Sequence, residues 1–283
     1  MKKYLLISIS VLLIFASCKK GGGDNPGNNK KIASMVVNLR NIVFTYDAQG
    51  RLQRLDNGVD ASTRFEHSAA GIVMQQYDAS GNLLPGGRWQ LNVVNGRVST
   101  AKEIVQGDGN GVIRNHTYQY DGQGRLIRHS AREVYEATNE ESRTIQYVYT
   151  YNGNNASHAT YLHTHGGDTH ASDSVSMDFT YYDGKKLYTY ADIGFNYFGT
   201  VPVGMQHQGH GVPSPMNRLI PIFYFPANNP LRSANRKFYR WNVAQNKWLL
   251  DITQNSDTSE SEYEYDAQGY LTKCGAASEI KWQ

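Results

Sequence analysis

Tyr46-Asp47-Ala48-Gln49-Gly50-Arg51-Leu52 is the stretch that decides the fold, because close copies of it return along the chain. The copies are Tyr77-Asp78-Ala79-Ser80-Gly81-Asn82-Leu83, Tyr120-Asp121-Gly122-Gln123-Gly124-Arg125-Leu126 and Tyr265-Asp266-Ala267-Gln268-Gly269-Tyr270-Leu271. In each, the aromatic residue ends one strand, Asp bonds the backbone two residues on, Gly adopts a positive φ, and an apolar residue begins the return strand. This sequence, called the YD motif below, therefore predicts a β-hairpin.

The hairpins recur with a period of about thirty residues, which is typical of a repeat architecture. The tyrosines that mark successive units are Tyr46, Tyr77, Tyr120, Tyr151 and Tyr182, with one longer interval that indicates an insertion near 84–111. Asn95-Gly96 and Asp183-Gly184 are further two-residue turn signals. The repeat predicts a long series of antiparallel strands.

Within the segments between turns, aromatic residues lie two positions apart, as in Tyr147, Tyr149 and Tyr151. A period of two places them on one face of a strand. No segment keeps a helical period for three turns, and a sheet of more than about ten strands rarely stays open and flat. We therefore expect an all-β fold, a long antiparallel meander of YD-type hairpins curled into a barrel-like or half-barrel sheet, with one Pro-rich aromatic loop inserted.

The start of the chain predicts secretion and a lipid anchor. Two lysines precede the apolar run 4–16, which has the length of a signal-peptide core and is too short to span a bilayer. The run ends in Phe15-Ala16-Ser17-Cys18, which is similar to the lipobox of bacterial lipoproteins. That resemblance implies a signal peptide at 1–17 and lipidation of Cys18. Residues 18–31, rich in Gly and Asn, are expected to form a flexible tether, and 32–283 a single β domain.

The charge and cysteine content argue against nucleic-acid binding, an intramolecular disulfide and membrane-spanning strands. The net charge of +3 falls to +1 once Lys2 and Lys3 leave with the signal peptide, so no nucleic-acid partner is expected. Cys274 then has no partner for a disulfide. Strands that span a membrane need apolar side chains on the face that meets lipid, whereas the predicted strands carry charged residues such as Lys102 and Glu103. The lipid anchor is therefore the only membrane contact that we expect.

The YD motifs resemble the YD repeats of Rhs-type shell proteins. Together with the Ser17-Cys18-Lys19-Lys20 start and the closing Tyr263 to Leu271 copy, they resemble YD-repeat lipoproteins of Bacteroidota, a domain of unknown function with a porin-like β fold. The expected location is the cell envelope, as an outer-membrane lipoprotein. The resemblance covers about residues 32–283 and implies an antiparallel barrel-like sheet. It implies no activity, cofactor or site residue, and it leaves open whether the domain faces the periplasm or the cell surface.

The segment 194–232 interrupts the repeat and is expected to form a long loop or a plug. It holds six of the eight prolines and a set of aromatic residues and histidines. Folded over the sheet, it is expected to bring candidate ligand-binding residues to one cleft, namely Tyr197, His207, His210, Tyr224, Trp241 and Trp248. A plug that completes the core is the alternative. Trp241 and Trp248 are also expected to face each other across a hairpin.

The histidines of 158–170 are candidate metal ligands. Two imidazoles two apart on a strand share a face, and with a carboxylate or a third imidazole they can hold Zn²⁺. The candidate set is His163, His165, Asp168 and His170, with His158 close by. The alternative is a polar hairpin tip without a metal, and the sequence predicts no other cofactor.

Three functional hypotheses remain. The absence of a Gly-x-Ser-x-Gly elbow, a P-loop or a Cys-His pair favours a non-catalytic, lipid-anchored cell-envelope module that binds a glycan or a peptide. The first alternative is an anchored metal-dependent hydrolase that uses the cluster His158 to His170. The second is a purely structural, shell-like repeat protein.

Overall fold

The computed structural model describes residues 30–37, 40–56, 61–84, 88–105, 111–182, 194–195, 197, 231–252, 256–257, 263–274 and 277–283. None of these residues is helical, so this part of the chain is all-β, as the period-two pattern predicts. Within these ranges, no helix has the length and apolar character needed to cross a membrane. Cys18, the tether up to residue 29, and Asp183-Gly184 lie outside the described residues.

The described residues form eighteen strands in one sheet. Their bounds are β1 (Ile32–Val37), β2 (Arg40–Tyr46), β3 (Leu52–Asp56), β4 (Ala61–Ser68), β5 (Gly71–Asp78), β6 (Arg88–Val94), β7 (Arg97–Val105), β8 (Val112–Tyr120), β9 (Leu126–Tyr135), β10 (Glu141–Asn152), β11 (Asn155–His165), β12 (Asp173–Tyr181), β13 (Leu231–Asn242), β14 (Lys247–Leu250), β15 (Ser256–Asp257), β16 (Tyr263–Tyr265), β17 (Leu271–Cys274) and β18 (Ala277–Trp282).

Strand pairing follows chain order almost throughout. From β1 to β13, each strand pairs antiparallel with the next, and β14 and β15 both pair with β13. Near the C-terminus, β16 pairs with β17, β17 with β18, and β18 returns to pair with β1. The first and last strands are therefore neighbours, and the free edges of the described sheet are β16 on one side and β14 with β15 on the other.

The sheet curls, although it is not closed among the described strands. Tyr182 follows β12 and Tyr263 begins β16, so the two residues lie near opposite edges in the order of pairing. Their rings nevertheless meet edge to face with centroids 6.0 Å apart. The prediction of a curled antiparallel meander is confirmed, in the half-barrel form.

The YD motif forms the turn that the sequence predicts. In the first copy, Asp47 Oδ1 accepts the backbone N–H groups of Gln49 and Arg51, each at 2.9 Å, and the Gly50 N–H donates to the Asp47 carbonyl. Gly50 has a φ of 72°, and the register shifts between Thr45 and Tyr46. This is a turn followed by a bulge whose left-handed position favours glycine.

Three copies of the motif lie at one end of the sheet, called the YD end, where β2, β8 and β16 finish. The end where β1 finishes is called the far end. At the YD end, tyrosine hydroxyls donate to the carbonyl of a residue that begins or lies near the start of the preceding strand. The bonds are Tyr46 to Ile32 (2.6 Å), Tyr120 to Val98 (2.9 Å), Tyr151 to Leu126 (2.6 Å) and Tyr181 to Ala156 (2.7 Å). This tyrosine row cross-links neighbouring hairpins.

Two members of the predicted repeat need correction. Tyr181, not Tyr182, occupies the tyrosine-row position, because Thr180 to Tyr181 carries a register shift. The Tyr77 copy lies at the far end, since three strands and not two separate it from Tyr46. It makes the same turn, with Gly81 at φ 82°, but Leu83 forms only an isolated bridge and is 52 % exposed.

Alternating residues fill the inner face of the curled sheet. Its largest fully buried side chains include Trp89 and Tyr147, and aromatic rings stack from strand to strand. Phe195, from the Pro-rich segment, is 0 % exposed and packs edge to face on Phe65 with centroids 5.5 Å apart. At this position the segment completes the core, as the plug alternative expects.

Candidate functional site

A row of four alternating charges crosses the inner face near the far end. Glu103, Arg114, Glu133 and Arg143 lie on β7, β8, β9 and β10, and each is the direct cross-strand partner of the next. Arg114 Nη1 lies 3.1 Å from Glu103 Oε2, and its Nε donates to Glu133 Oε2 at 2.5 Å. Arg143 Nη2 donates to the same Glu133 oxygen at 3.0 Å. We call this set the charge row.

The charge row stabilises the charged forms of Glu133 and Arg114. Burial disfavours the charged form of Glu133, but hydrogen bonds and charges from Arg114 and Arg143 outweigh it and keep the pKa of Glu133 below its ordinary value. Burial also opposes the charge of Arg114, while Glu103 and Glu133 raise its pKa above the ordinary range.

Glu103 is buried and faces the interior of the curled sheet. Its charge does not bear on whether the opposite face could meet lipid, which corrects that part of the sequence argument.

Two buried histidines lie beside the row. His116 Nδ1 and His129 Nε2 are 3.0 Å apart, and the rings are stacked with an interplanar angle of 5°. Burial lowers the pKa of His116, which favours its neutral ring, and in the neutral pair one ring nitrogen donates to the other. The pair continues the aromatic stack between Trp89 and Tyr147.

Two histidines and an aspartate meet at the end of the same inner face. His163 and His165 lie two apart on β11, and Asp173 begins β12 directly opposite His163. One ligand atom from each of the three lies within 4.8 Å of the others. We call this set the inner His–Asp group. Burial and the neighbouring His165 lower the pKa of His163, which favours its neutral ring.

The inner group differs from the metal set that the sequence predicts. Asp168 and His170 are exposed in the connection between β11 and β12, where the Asp168 N–H donates to the His165 carbonyl. His158 lies on the opposite face of β11 and pairs with Asp178 at 2.7 Å. The structure thus keeps His163 and His165 together, replaces Asp168 and His170 by Asp173, and separates His158 from all of them.

Tyr197 lies at the YD end. Its hydroxyl is 3.2 Å from Nδ1 of His67, whose Nε2 lies 2.7 Å from the Leu52 carbonyl. Its backbone carbonyl accepts the Val98 N–H at 2.7 Å. The His67 ring therefore contacts a carbonyl at the start of the preceding strand, as the hydroxyls of the tyrosine row do. Tyr197 is the partner of its second ring nitrogen.

Trp241 and Trp248 lie at the far end. They are cross-strand partners on β13 and β14, with ring centroids 5.3 Å apart, which confirms the predicted hairpin pair. Trp241 also meets the His170 ring at 5.3 Å. The fold does not bring these tryptophans to Tyr197, because they occupy opposite ends of the strands. His207, His210 and Tyr224 lie outside the described residues.

The outer face carries an open groove of about 540 Å³ over β5 to β8, called the outer groove. Two rows of cross-strand neighbours form its floor, and apolar residues such as Ala70, Ile72 and Val73 also line it. The rows are Gln90, Lys102 and Asn115, and Asn92, Thr100 and Thr117. Five of these six side chains are neutral and can accept hydrogen bonds, and all five can also donate them.

Sequence reasoning missed the charge row, the buried histidine pair, Asp173 and the outer groove. Alternation alone could have placed Glu103 and Ala101 on one face of β7, and His116 and Arg114 on one face of β8. Register could not be obtained in this way, because a bulge between Glu141 and Arg143 shifts the pairing of β9 with β10.

The fold is similar to those of two porin-like proteins from Bacteroides. The crystal structure of a porin-like protein from Bacteroides vulgatus is 10% identical in sequence with a TM-score of 0.54, and the match covers 89% of this chain and 98% of that chain. One from Bacteroides uniformis is 14% identical with a TM-score of 0.51, and the match covers 90% and 96%. At these identities the likeness shows the fold alone. No protein-family model and no curated protein matches the chain.

Proposed function

We propose that this protein is a non-catalytic, lipid-anchored binding module of the bacterial cell envelope, and that its outer groove takes a neutral, hydroxyl-rich ligand such as a glycan. The observation that supports it best is the division of the described sheet into a filled inner face and an outer face that carries a groove with polar side chains along its floor. Trp89 is 1 % exposed and Tyr147 and Phe195 are 0 % exposed. Since large side chains occupy the inner face there, a ligand finds space on the outside.

The chemistry of the groove supports a glycan over a charged ligand. Amide and hydroxyl side chains act as both donors and acceptors, which matches the alternating hydroxyls of a sugar. Lys102 is the one ionisable side chain among the six that form the floor. The volume of about 540 Å³ lies within the range of small-ligand sites, roughly 300–1,000 Å³.

Envelope anchoring rests on the sequence around Cys18, and the likeness in fold to porin-like proteins of Bacteroides agrees with that location. Growth with an alkyne fatty acid should label the wild-type protein. Cys18→Ser should abolish both the label and recovery in the membrane fraction. A labelled Cys18→Ser variant would refute lipidation at this residue.

A glycan array with the detergent-solubilised, full-length mature protein tests the binding role. Thr117→Trp fills the outer groove, whereas Thr150→Trp places the same side chain on an exposed position of β10 outside it. We expect Thr117→Trp to weaken glycan binding by at least about tenfold, roughly 1.4 kcal/mol, and Thr150→Trp to leave it unchanged.

Three results would overturn the proposal. Equal glycan binding by both variants would place the ligand elsewhere. No binding to any glycan by the folded wild-type protein would favour the purely structural alternative, and hydrolysis of an arrayed glycan would favour the hydrolase.

A further inference from the structure

The inner His–Asp group has the donor set and spacing of a metal site. His163 Nδ1 lies 3.5 Å from Asp173 Oδ2, longer than the usual hydrogen bond of about 2.7–3.2 Å. Two ligands bound to one tetrahedral Zn²⁺ at about 2.0–2.1 Å stand roughly 3.3 Å apart. The His163 and His165 rings meet edge to face with centroids 4.5 Å apart, so their nitrogens reach the same space.

Neither ring nitrogen of His163 has a close hydrogen-bond partner among the described residues, so either one is available to bind a metal ion. Its Nε2 is buried and makes no hydrogen bond among the described residues. Among the residues that the structure describes, its Nδ1 has only the approach of 3.5 Å to Asp173. A buried imidazole normally has partners for its polar atoms, because an unsatisfied one costs about 1–3 kcal/mol.

Ser172 holds the backbone of His163 and the carboxylate of Asp173 in place. Ser172 donates its N–H and its hydroxyl to the His163 carbonyl, at 2.8 and 3.1 Å. Its hydroxyl also lies 3.4 Å from Asp173 Oδ2. Such outer contacts orient the ligands of metal sites.

We propose that His163, His165 and Asp173 bind a divalent transition-metal ion of the zinc class at the far end of the inner face. Two imidazoles and one carboxylate suit Zn²⁺ or Co²⁺, whereas Ca²⁺ and Mg²⁺ prefer oxygen ligands. Three protein ligands leave one coordination position. That position faces solvent, because His165 is exposed and the Asp173 side chain is 45% exposed.

Two arginines lie near the site, and each already has a carboxylate partner. Arg143 is the cross-strand neighbour of His165 and donates to Glu133. Arg240 is the cross-strand neighbour of Asp173 and lies 3.2 Å from Asp251. Their charges are therefore partly neutralised, and the Asp173 carboxylate stays available to a cation.

Calorimetric titration of the purified, chelator-treated mature protein with Zn²⁺, together with Co²⁺ absorption spectra, tests the site. We expect one ion per chain and a tetrahedral Co²⁺ spectrum. Asp173→Asn and His165→Ala should each weaken Zn²⁺ binding by at least about tenfold. At known sites, even the loss of a group that hydrogen-bonds to a metal ligand has an effect of this size. His165 is exposed, so its substitution does not disturb the core.

Asp168→Asn and His170→Ala are the matched controls, because these residues carry the same donor types and lie in the connection between His165 and Asp173. Both should bind Zn²⁺ like wild type. The proposal fails if the folded wild-type protein shows no saturable binding. It also fails if the controls lose the ion while Asp173→Asn keeps it. The outcome is independent of glycan binding.

Discussion

Gly269 shows how a single residue enforces a YD turn. It has a φ of 84°, in the left-handed region, and no atom lies near the position that a Cβ would take. Gly122, in the turn of the third copy, is also open to an added Cβ but does not have a positive φ. The two positions therefore differ in backbone conformation and not in available space.

We predict that Gly269→Ala lowers the free energy of unfolding by about 1–2 kcal/mol, because an L-residue in the left-handed conformation is strained. Gly122→Ala should change it by no more than about 0.5 kcal/mol. Urea denaturation of both variants measures the difference. Equal stabilities would mean that the left-handed conformation is not what the motif requires.

The charge row links four neighbouring strands by ion pairs, which join Glu103, Arg114, Glu133 and Arg143. The row is an element-scale feature, since no single hairpin contains it. Buried ion pairs contribute little relative to apolar packing, but removing one partner leaves an uncompensated charge. We therefore expect the row to specify the register of β7 to β10 more than it adds stability.

Arg114→Met should lower the free energy of unfolding by about 3–5 kcal/mol, because it leaves Glu103 and Glu133 without their shared partner. Lys273→Met, which removes a more exposed pair with Glu264 between β16 and β17, should cost no more than about 1 kcal/mol. Chemical denaturation at neutral pH measures both. A small effect of Arg114→Met would show that the two glutamates are neutral or solvated.

Acid should weaken the same row. The folded pKa of Glu133 is lowered, so its contribution is fully present above its unfolded pKa of about 4.3 and is lost as the pH falls through the folded value. In Glu133→Gln this part of the acid dependence should disappear. An unchanged slope of stability against pH below about 4.3 would contradict the assignment.

At the scale of the whole molecule, the pairing of β18 with β1 holds the sheet together. β18 lies between β17 and β1, and the backbones of Lys31 and Gln283 exchange hydrogen bonds of 2.8 and 2.9 Å. Ile280 lies in the core at 4 % exposure. The last strand is therefore the link that joins β16 and β17 to the long meander.

A variant that ends at residue 276 should lose protection against hydrogen exchange in β1 and β17, while β8 to β11 keep theirs. Hydrogen exchange reports local opening, and β1 and β17 are the two strands that lose a neighbour when β18 is removed. A variant that lacks residues 19–29, before the first described residue, is the control and should exchange like wild type. Unchanged protection of β1 after the C-terminal truncation would contradict this role of β18.

The sequence by itself determined the local structure. Asp47 and Gly50 specify their turn within five residues, and the alternation in Tyr147, Tyr149 and Tyr151 specifies which side of a strand is apolar. An all-β meander that must curl follows from these short-range signals. The lipidation of Cys18, read from the same kind of local pattern, stays a prediction.

Only the tertiary structure decided which side chains meet. Tyr197 contacts His67, 130 residues away in the chain, instead of the tryptophans, and Asp173 joins His163 in place of Asp168. Such contacts depend on register, on the end at which each turn lies, and on bulges that shift pairing by one residue. A shift of one residue sends a side chain to the opposite face, so a site built across several strands cannot be obtained from the pattern within each strand.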